Sequence, residues 1–346
     1  ETQAVAGVVI SASHNPSTDN GFKAYWADGG QVVPPHDKNI IAQVQTVTKI
    51  EKSDYDQAVE QGMIQTLGAA LDSDYHRQIA NLSRSTAREV SIVYTPMHGV
   101  GTTSVVPALE LLGYQDLHLV EEQTIPDGNF PTVEGGVANP EVPKALSLGI
   151  RDAAQQNADL VLASDPDADR LGCALPHREK GWNAPPEELA LNGNQIGVIL
   201  CHYLLKKYQD QGDLPAKGVV CETIVTTDLT GIIARSFGVR VVDNLLVGFK
   251  YIGDVIETLP DDQTFLFGTE ESHGYLTGSF VRDKDAASAA VLLCECAAEQ
   301  KVRGKTVRDY LDDIYQEFGY FSEIQESTYR EGAQGSQEIA RIMEGL

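Results

Sequence analysis

Apolar positions fall into short β-branched runs that alternate with stretches of helical period, the pattern of α/β architecture. Residues 5–10, with Val5, Val8, Val9 and Ile10, read as a strand that runs into a polar loop. Residues 22–26 and 31–33 read as a hairpin closed by Asp28-Gly29-Gly30. Helical spacing covers 40–50 and 72–82. A βαβαβ unit follows, with strands at 90–94, 117–120 and 160–163 and helices at 104–112 and 143–155. Its exit over 175–188 is rich in proline and charge. A second unit places helices at 195–208, 228–237, 251–259 and 286–301 and strands at 218–221, 240–242 and 264–267. Thr306 is an N-cap candidate for a closing helix over 307–318, and a further helix is expected at 336–343. The expected fold is α/β and multi-domain: repeated doubly wound units with active-site loops at strand carboxyl ends. The expected division is 1–70, 71–187, 188–320 and 321–346. A strand pattern that begins almost at residue 1, with no Met, is expected of a piece of a longer chain.

Composition narrows the function. At 346 residues and 37.5 kDa, two or three domains are expected. No apolar run approaches the length of a membrane span, and Glu1-Thr2-Gln3 opens no signal peptide, so neither a membrane partner nor secretion is expected. A net charge of −24 without a basic stripe excludes nucleic acid as the main partner. An anionic substrate must then be held by a few local cations or a metal. The five cysteines, Cys173, Cys201, Cys221, Cys294 and Cys296, are odd in number and scattered, as expected of buried reduced thiols in a cytoplasmic protein. Nothing in the sequence sets an oligomeric state.

Three loops directly follow apolar strands, where open α/β sheets collect ligands. The first is Ser11-Ala12-Ser13-His14-Asn15-Pro16, with Lys23 shortly after it. A serine needs an adjacent base or a metal to carry phosphate, and His14 is adjacent; a capped Asn-Pro turn is the alternative. The second is Asp165-Pro166-Asp167-Ala168-Asp169-Arg170. Carboxylates at alternate positions converge on one side of an extended loop, as a hard cation requires, with Arg170 beside them as a phosphate-binding cation. It is no EF-hand, because Arg170 stands where Gly is required and Pro176 where the bidentate Glu belongs. A solvated acidic turn is the alternative. The third is Gly268-Thr269-Glu270-Glu271-Ser272-His273-Gly274, in which Glu270 and Ser272 could bind neighbouring sugar hydroxyls or merely cap a helix. One decoy stands apart. Gly99-Val100-Gly101 after a strand imitates a dinucleotide fingerprint, but Ser104 replaces its third glycine.

Taken in order, these loops resemble the α-D-phosphohexomutase family, which contains phosphoglucomutase and phosphomannomutase. Ser11–Pro16 resembles the family's S/T-x-S-H-N-P loop. Asp165–Arg170 resembles its metal loop in a D-P-D-A-D-R form, and Glu270-Glu271-Ser272 its G-E-x-S sugar loop. Thr95-Pro96-Met97-His98-Gly99, Asn139-Pro140-Glu141, Gly248-Phe249-Lys250 and Arg282-Asp283-Lys284-Asp285 extend the likeness. The resemblance implies a mutase that interconverts hexose 1-phosphate and hexose 6-phosphate, of glucose or mannose, through a phosphoserine and a sugar bisphosphate. It implies Ser13 as the phosphoserine and Mg²⁺ held by that phosphate with Asp165, Asp167 and Asp169. His14, Lys23 and Arg170 would serve catalysis. Gly248, Phe249, Glu270, Ser272 and Lys284 would bind the phosphorylated sugar. A phosphopentomutase of the same family and a non-catalytic sugar-phosphate-binding relative are the alternatives. The family's opening segment and its C-terminal phosphate clamp have no match here, and Glu222 stands where many relatives carry lysine.

Overall fold

The computed structural model describes residues 3–324, 330 and 332–345. The first unit is a two-stranded antiparallel ribbon, β1 (Ala6–Ile10) on β2 (Phe22–Trp26), in register from Ala6↔Trp26 to Ile10↔Phe22. The expected hairpin with 31–33 is reduced to one bridge, Tyr25↔Gln31. The turn itself forms, with Gly29 at φ +83 and Trp26 N–H donating to Gly30 O at 3.0 Å. Pro34 and Pro35 then end the pairing, because neither offers an N–H to a ladder. The same prolines start α1 (His36–Thr46) four residues before the apolar spacing predicted. Helix α2 (Tyr55–Glu60), capped by the Asp54 carboxylate on Gln57 N, had no clear periodic signal. It is followed by α3 (Ala69–Asn81).

The middle unit is a five-stranded sheet. Strands β3 (Ile92–Thr95), β4 (Leu117–Leu119) and β5 (Leu160–Ser164) run parallel in the order β4-β3-β5, as the βαβαβ reading requires. Helices α4 (Val105–Leu111) and α5 (Ser147–Gln156) make the crossovers. Two antiparallel strands that the pattern did not reveal, β6 (Leu171–Ala174) and β7 (Ala190–Leu191), extend the edge, with the one-turn helix α6 (Pro186–Leu189) before β7.

The third unit repeats the plan. Helix α7 (Gly193–Gln211) enters through an Asn192/Gln195 capping box. Strands β8 (Gly218–Thr223), β9 (Arg240–Leu245) and β10 (Thr264–Glu270) are parallel, with α8 (Asp228–Ser236) and α9 (Lys250–Thr258) between them. Strand β11 (Gly274–Thr277) turns back antiparallel on β10, giving the order β11-β10-β8-β9. Helix α10 (Ala286–Val302) touches α3, α4 of the middle unit, and α7 and β11 of its own unit. Apolar on most of its surface, it is buried on nearly all sides, with Glu295 and Gln300 among its buried polar exceptions, which is why Cys294 and Cys296 are both covered despite facing different ways. All five cysteines are buried and unpaired. Helix α11 (Val307–Phe318) begins at Thr306 in a capping box with Asp309, worth about 1 kcal/mol. Helix α12 (Gly332–Glu344) lies near the end of the chain. No described helix is long and apolar enough to cross a membrane.

One buried group sets an acid limit. His202 sits among the rings of Phe237, Tyr310 and Phe318, its Nδ1 2.7 Å from the Tyr310 hydroxyl, and burial lowers its pKa from 6.5 to about 4. Burial likewise holds His14 and His273 near 4. The unfolded chain therefore takes up protons first as pH falls. This stability is complete above 6.5 and is lost progressively as pH falls toward 4. The urea midpoint is expected to drop across that window, and His202→Gln to make the drop shallower. An identical pH profile in the variant would remove His202 from the account.

Candidate active site

The polar loops at the ends of β1, β5 and β10 meet at one place. The loop after β1 is closed by Ser11 N–H donating to Gly21 O, and Gly21 is needed there: a Cβ would lie 1.8 Å from Ser11 O. Ser11 Oγ accepts from Ser13 N at 2.8 Å and donates to Asp167 Oδ2 at 2.9 Å. Ser13, held at φ +50, donates its hydroxyl to Asp165 Oδ2 at 2.6 Å, and its Oγ is 3.1 Å from His14 Nδ1. Burial, then the positive charge of Arg170, keeps His14 neutral, with its pKa at about 4. A neutral ring beside Ser13 can accept a proton.

Asp165 is wholly buried at the carboxyl end of β5. Its Oδ1 accepts from the N–H groups of Asp169 and Arg170 at 3.1 and 2.9 Å, which curls the loop around it with Ala168 at φ +56. Asp165, Asp167 and Asp169 each present an oxygen within 4.8 Å of the others. Burial, then Asp169 and Asp167, pushes the Asp165 carboxyl well above its usual range. Burial also opposes ionisation of Asp167, but hydrogen bonding with Asp165 and the charge of Lys23 hold it below the usual range. Lys23 Nζ reaches Asp167 at 3.2 Å and Asp169 at 3.1 Å, and Lys284 Nζ reaches Asp169 at 2.8 Å. Oδ1 of Asp167 and Oδ1 of Asp169 remain buried without a hydrogen-bond partner. Two orphaned carboxylate oxygens beside a third carboxylate are the donor set of a hard cation, so the residues present fit a metal.

The third loop is a tight turn between β10 and β11, which excludes the helix-cap alternative. Glu270 ends β10, and its Oε1 accepts from Gly248 N at 2.8 Å. Burial raises the Glu270 carboxyl to about 7, against the opposing charge of Lys284. Gly248, at φ +121, adopts a conformation that glycine tolerates best. Ser272 is half-buried within the turn. Phe249 differs from expectation: its ring is buried with Val219, Ile252 and Phe265, so only its backbone can face a ligand. The turn is joined to the Asp loop by Leu171 N–H donating to His273 O at 3.1 Å and by an Arg170↔Gly274 bridge.

Arg170 lies in the site but is ion-paired with Glu141, while its buried Nε has no partner. In the Asn139-Pro140-Glu141 and Arg282-Asp283-Lys284-Asp285 runs the sequence resemblance gives a role to Lys284 alone. The structure adds Glu141 and Asp283, the latter accepting from the Tyr25 hydroxyl at 3.0 Å. Glu222 is buried at the end of β8 and raised to about 8 by burial and then Asp243, with Arg235 opposing.

Comparison with known proteins identifies the family. Models described as phosphoglucomutase/phosphomannomutase alpha/beta/alpha domains I, II and III match residues 1–51, 70–179 and 192–318 in turn. A phosphoglucomutase of Staphylococcus saprophyticus is 35% identical over 347 residues, covering 99% of this chain and 61% of its own. A Haemophilus influenzae protein named "Probable phosphomannomutase" is 37% identical over 320 residues, covering 91% and 61%. The chain thus spans about three fifths of the length of these relatives. An Aspergillus fumigatus N-acetylphosphoglucosamine mutase, solved with GlcNAc-6P and magnesium, shares the fold with a TM-score of 0.54 at 13% identity, over 90% of this chain and 73% of that one. Three domain models of one family, matched in order along most of its length, mean that the chain belongs to the phosphoglucomutase/phosphomannomutase family, the α-D-phosphohexomutases.

Proposed function

We propose that this chain supplies the phosphoserine and metal centre of a mutase that interconverts hexose 1- and 6-phosphates of glucose or mannose. The observation that carries the reading is Ser13 Oγ at 2.6 Å from Asp165 Oδ2 and 3.1 Å from His14 Nδ1, with Lys23 paired to Asp167 and Asp169 and Lys284 to Asp169. In the first half-reaction a sugar hydroxyl oxygen attacks the phosphorus of phosphorylated Ser13 and the bond from phosphorus to Ser13 Oγ breaks. The proton lost by the hydroxyl ends on Ser13 Oγ, with neutral His14 placed to carry it. The bisphosphate turns over in the site and the reverse step returns its other phosphate to Ser13. Phosphoryl transfer needs alignment and charge neutralisation above all.

Asp165, Asp167 and Asp169 would hold Mg²⁺ together with the Ser13 phosphate. The ion, when bound, neutralises phosphate charge that three carboxylates would otherwise repel. Lys23 is paired with Asp167 and Asp169 and Lys284 with Asp169, so they turn to phosphate only when these carboxylates are engaged elsewhere. Glu270, Ser272 and the Gly248-Phe249 backbone would hold the sugar, and Arg170, once released by Glu141, a phosphate. The magnesium and sugar phosphate bound by the Aspergillus relative support this assignment. The units divide at 1–70, 71–187, 188–320 and 321–346 in this reading.

Incubation with glucose 1,6-bisphosphate and Mg²⁺ is expected to place one base-labile phosphoryl group on Ser13, located by peptide mass spectrometry. Binding of the bisphosphate without phosphorylation would instead indicate a sugar-phosphate-binding relative.

A further inference from the structure

Pro166 carries the chain from Asp165 to Asp167, and the turn after β3 is built to receive it. Strand β3 lies parallel to β5, Thr95 beside Ala163, so residues 96–100 fold directly behind the first residues of the Asp loop. Met97 and His98 are both buried and both left-handed, at φ +47 and +64. That conformation is strained for residues with a side chain and persists only where the surroundings enforce it. Here they do. His98 N–H donates to Gln123 O at 2.9 Å, and His98 O accepts from Asp127 N at 3.0 Å. Its ring Nδ1 lies 3.0 Å from Ile125 O, which can only accept, and its Nε2 lies 2.9 Å from Thr132 Oγ1. Thr95 Oγ1 accepts from Met97 N at 3.0 Å and donates to Gln123 Oε1 at 2.5 Å.

The product of this frame is a flat contact between two backbones. Val100 N–H donates to Pro166 O at 2.9 Å. Gly99 lies against Pro166 so closely that a Cβ would sit 2.4 Å from its Cα, 2.5 Å from its O and 2.7 Å from its C. Gly99 is not among the left-handed residues, so close approach rather than backbone conformation calls for glycine here. The atoms met are backbone, which cannot swing aside. Restoring ordinary contact would push Pro166 back by about 1 Å, and Mg²⁺ tolerates little error in the placement of its oxygens.

We propose that residues 96–100 are a positioning platform for the metal loop. Gly99 and the Val100 N–H set the Pro166 peptide and thereby the spacing of Asp165 and Asp167. Gly99 is a positioning residue that acts through Pro166, and the inference rests on the metal assignment made above.

Mg²⁺ titration calorimetry on the chain, with urea unfolding of the metal-free protein in parallel, tests it. Gly149→Ala is the control. Its Cβ would lie 2.7 Å from Val161 Cγ1, behind the same sheet but away from the Asp loop. Gly99→Ala is expected to raise the Mg²⁺ Kd about tenfold or more. Gly149→Ala is expected to lower the urea midpoint while leaving the Kd within about twofold of the parent value. Val100→Pro, which removes the donor and aims its ring Cδ at Pro166 O, should displace the same peptide and also weaken Mg²⁺ binding. Equal Kd values for the parent, Gly99→Ala and Val100→Pro would overturn the platform alone. Equal weakening by Gly99→Ala and Gly149→Ala would overturn it too, by tracing the loss to general destabilisation. Absence of Mg²⁺ binding by the parent chain would overturn the metal assignment, and the platform with it.

Discussion

Alanine at Ser13 is expected to abolish phosphate uptake from a sugar bisphosphate. It should lower the proposed phosphosugar mutase turnover by at least about 10⁴-fold. The fold should survive. Ser13 is half-buried on a loop, and alanine tolerates its φ of +50 as well as serine does. What is lost is the hydroxyl that donates to Asp165 at 2.6 Å, a cost to stability of about 1 kcal/mol. The informative partner is Ser11→Ala. Ser11 also touches the site, through Asp167 and the Ser13 N–H, but its role is to shape the turn. That variant should keep the ability to acquire phosphate at a reduced rate. Undiminished phosphorylation of Ser13→Ala, with the label on Ser11, would exchange the two roles.

Asparagine at Asp165 is expected to weaken Mg²⁺ binding by at least about 100-fold and yet to stabilise the metal-free chain by about 1–2 kcal/mol. The three aspartates look alike in sequence, but their surroundings differ. Asp165 is wholly buried and faces two further carboxylates, so its charge is opposed by burial first and by Asp169 and Asp167 next. An asparagine Oδ1 would keep both N–H donors, and its amide could donate to Ser13 Oγ, which is free to accept. Asp167 is the opposite case. It is tied to Lys23 and to the Ser11 hydroxyl, so Asp167→Asn should weaken metal binding and destabilise the apo-protein as well. Calorimetry with Mg²⁺ and thermal melts in chelator separate the two effects. A lower melting temperature for Asp165→Asn than for the parent would show that its carboxylate is a net support of the fold.

Arg170 illustrates how far residue type and position can be read apart from contacts. Its place after three aspartates marked it as a cation for phosphate, and it does lie in the site. In the structure its guanidinium is paired with Glu141, twenty-nine residues earlier and on another loop. Phe249 shows the same limit from the other side. The motif marked it for the sugar, whereas packing turns its ring into the core.

The sequence by itself determined the α/β alternation, the parallel strands of the two larger units and the three polar loops at strand ends. These follow from apolar period, capping residues and carboxylate spacing, all of which act over a few residues. Strands β6, β7 and β11 escaped because none carries a resolvable apolar period, although β3 and β4 are just as short. Only the tertiary structure decided that Ser13 meets Asp165 across 152 residues and that Lys23 and Lys284 converge on Asp169. It alone placed Gly99 flat against Pro166. The reason is physical: a carboxylate's ionisation and a lysine's partner depend on which surfaces the packed sheets bring together. No local pattern encodes the distance between loops on separate units.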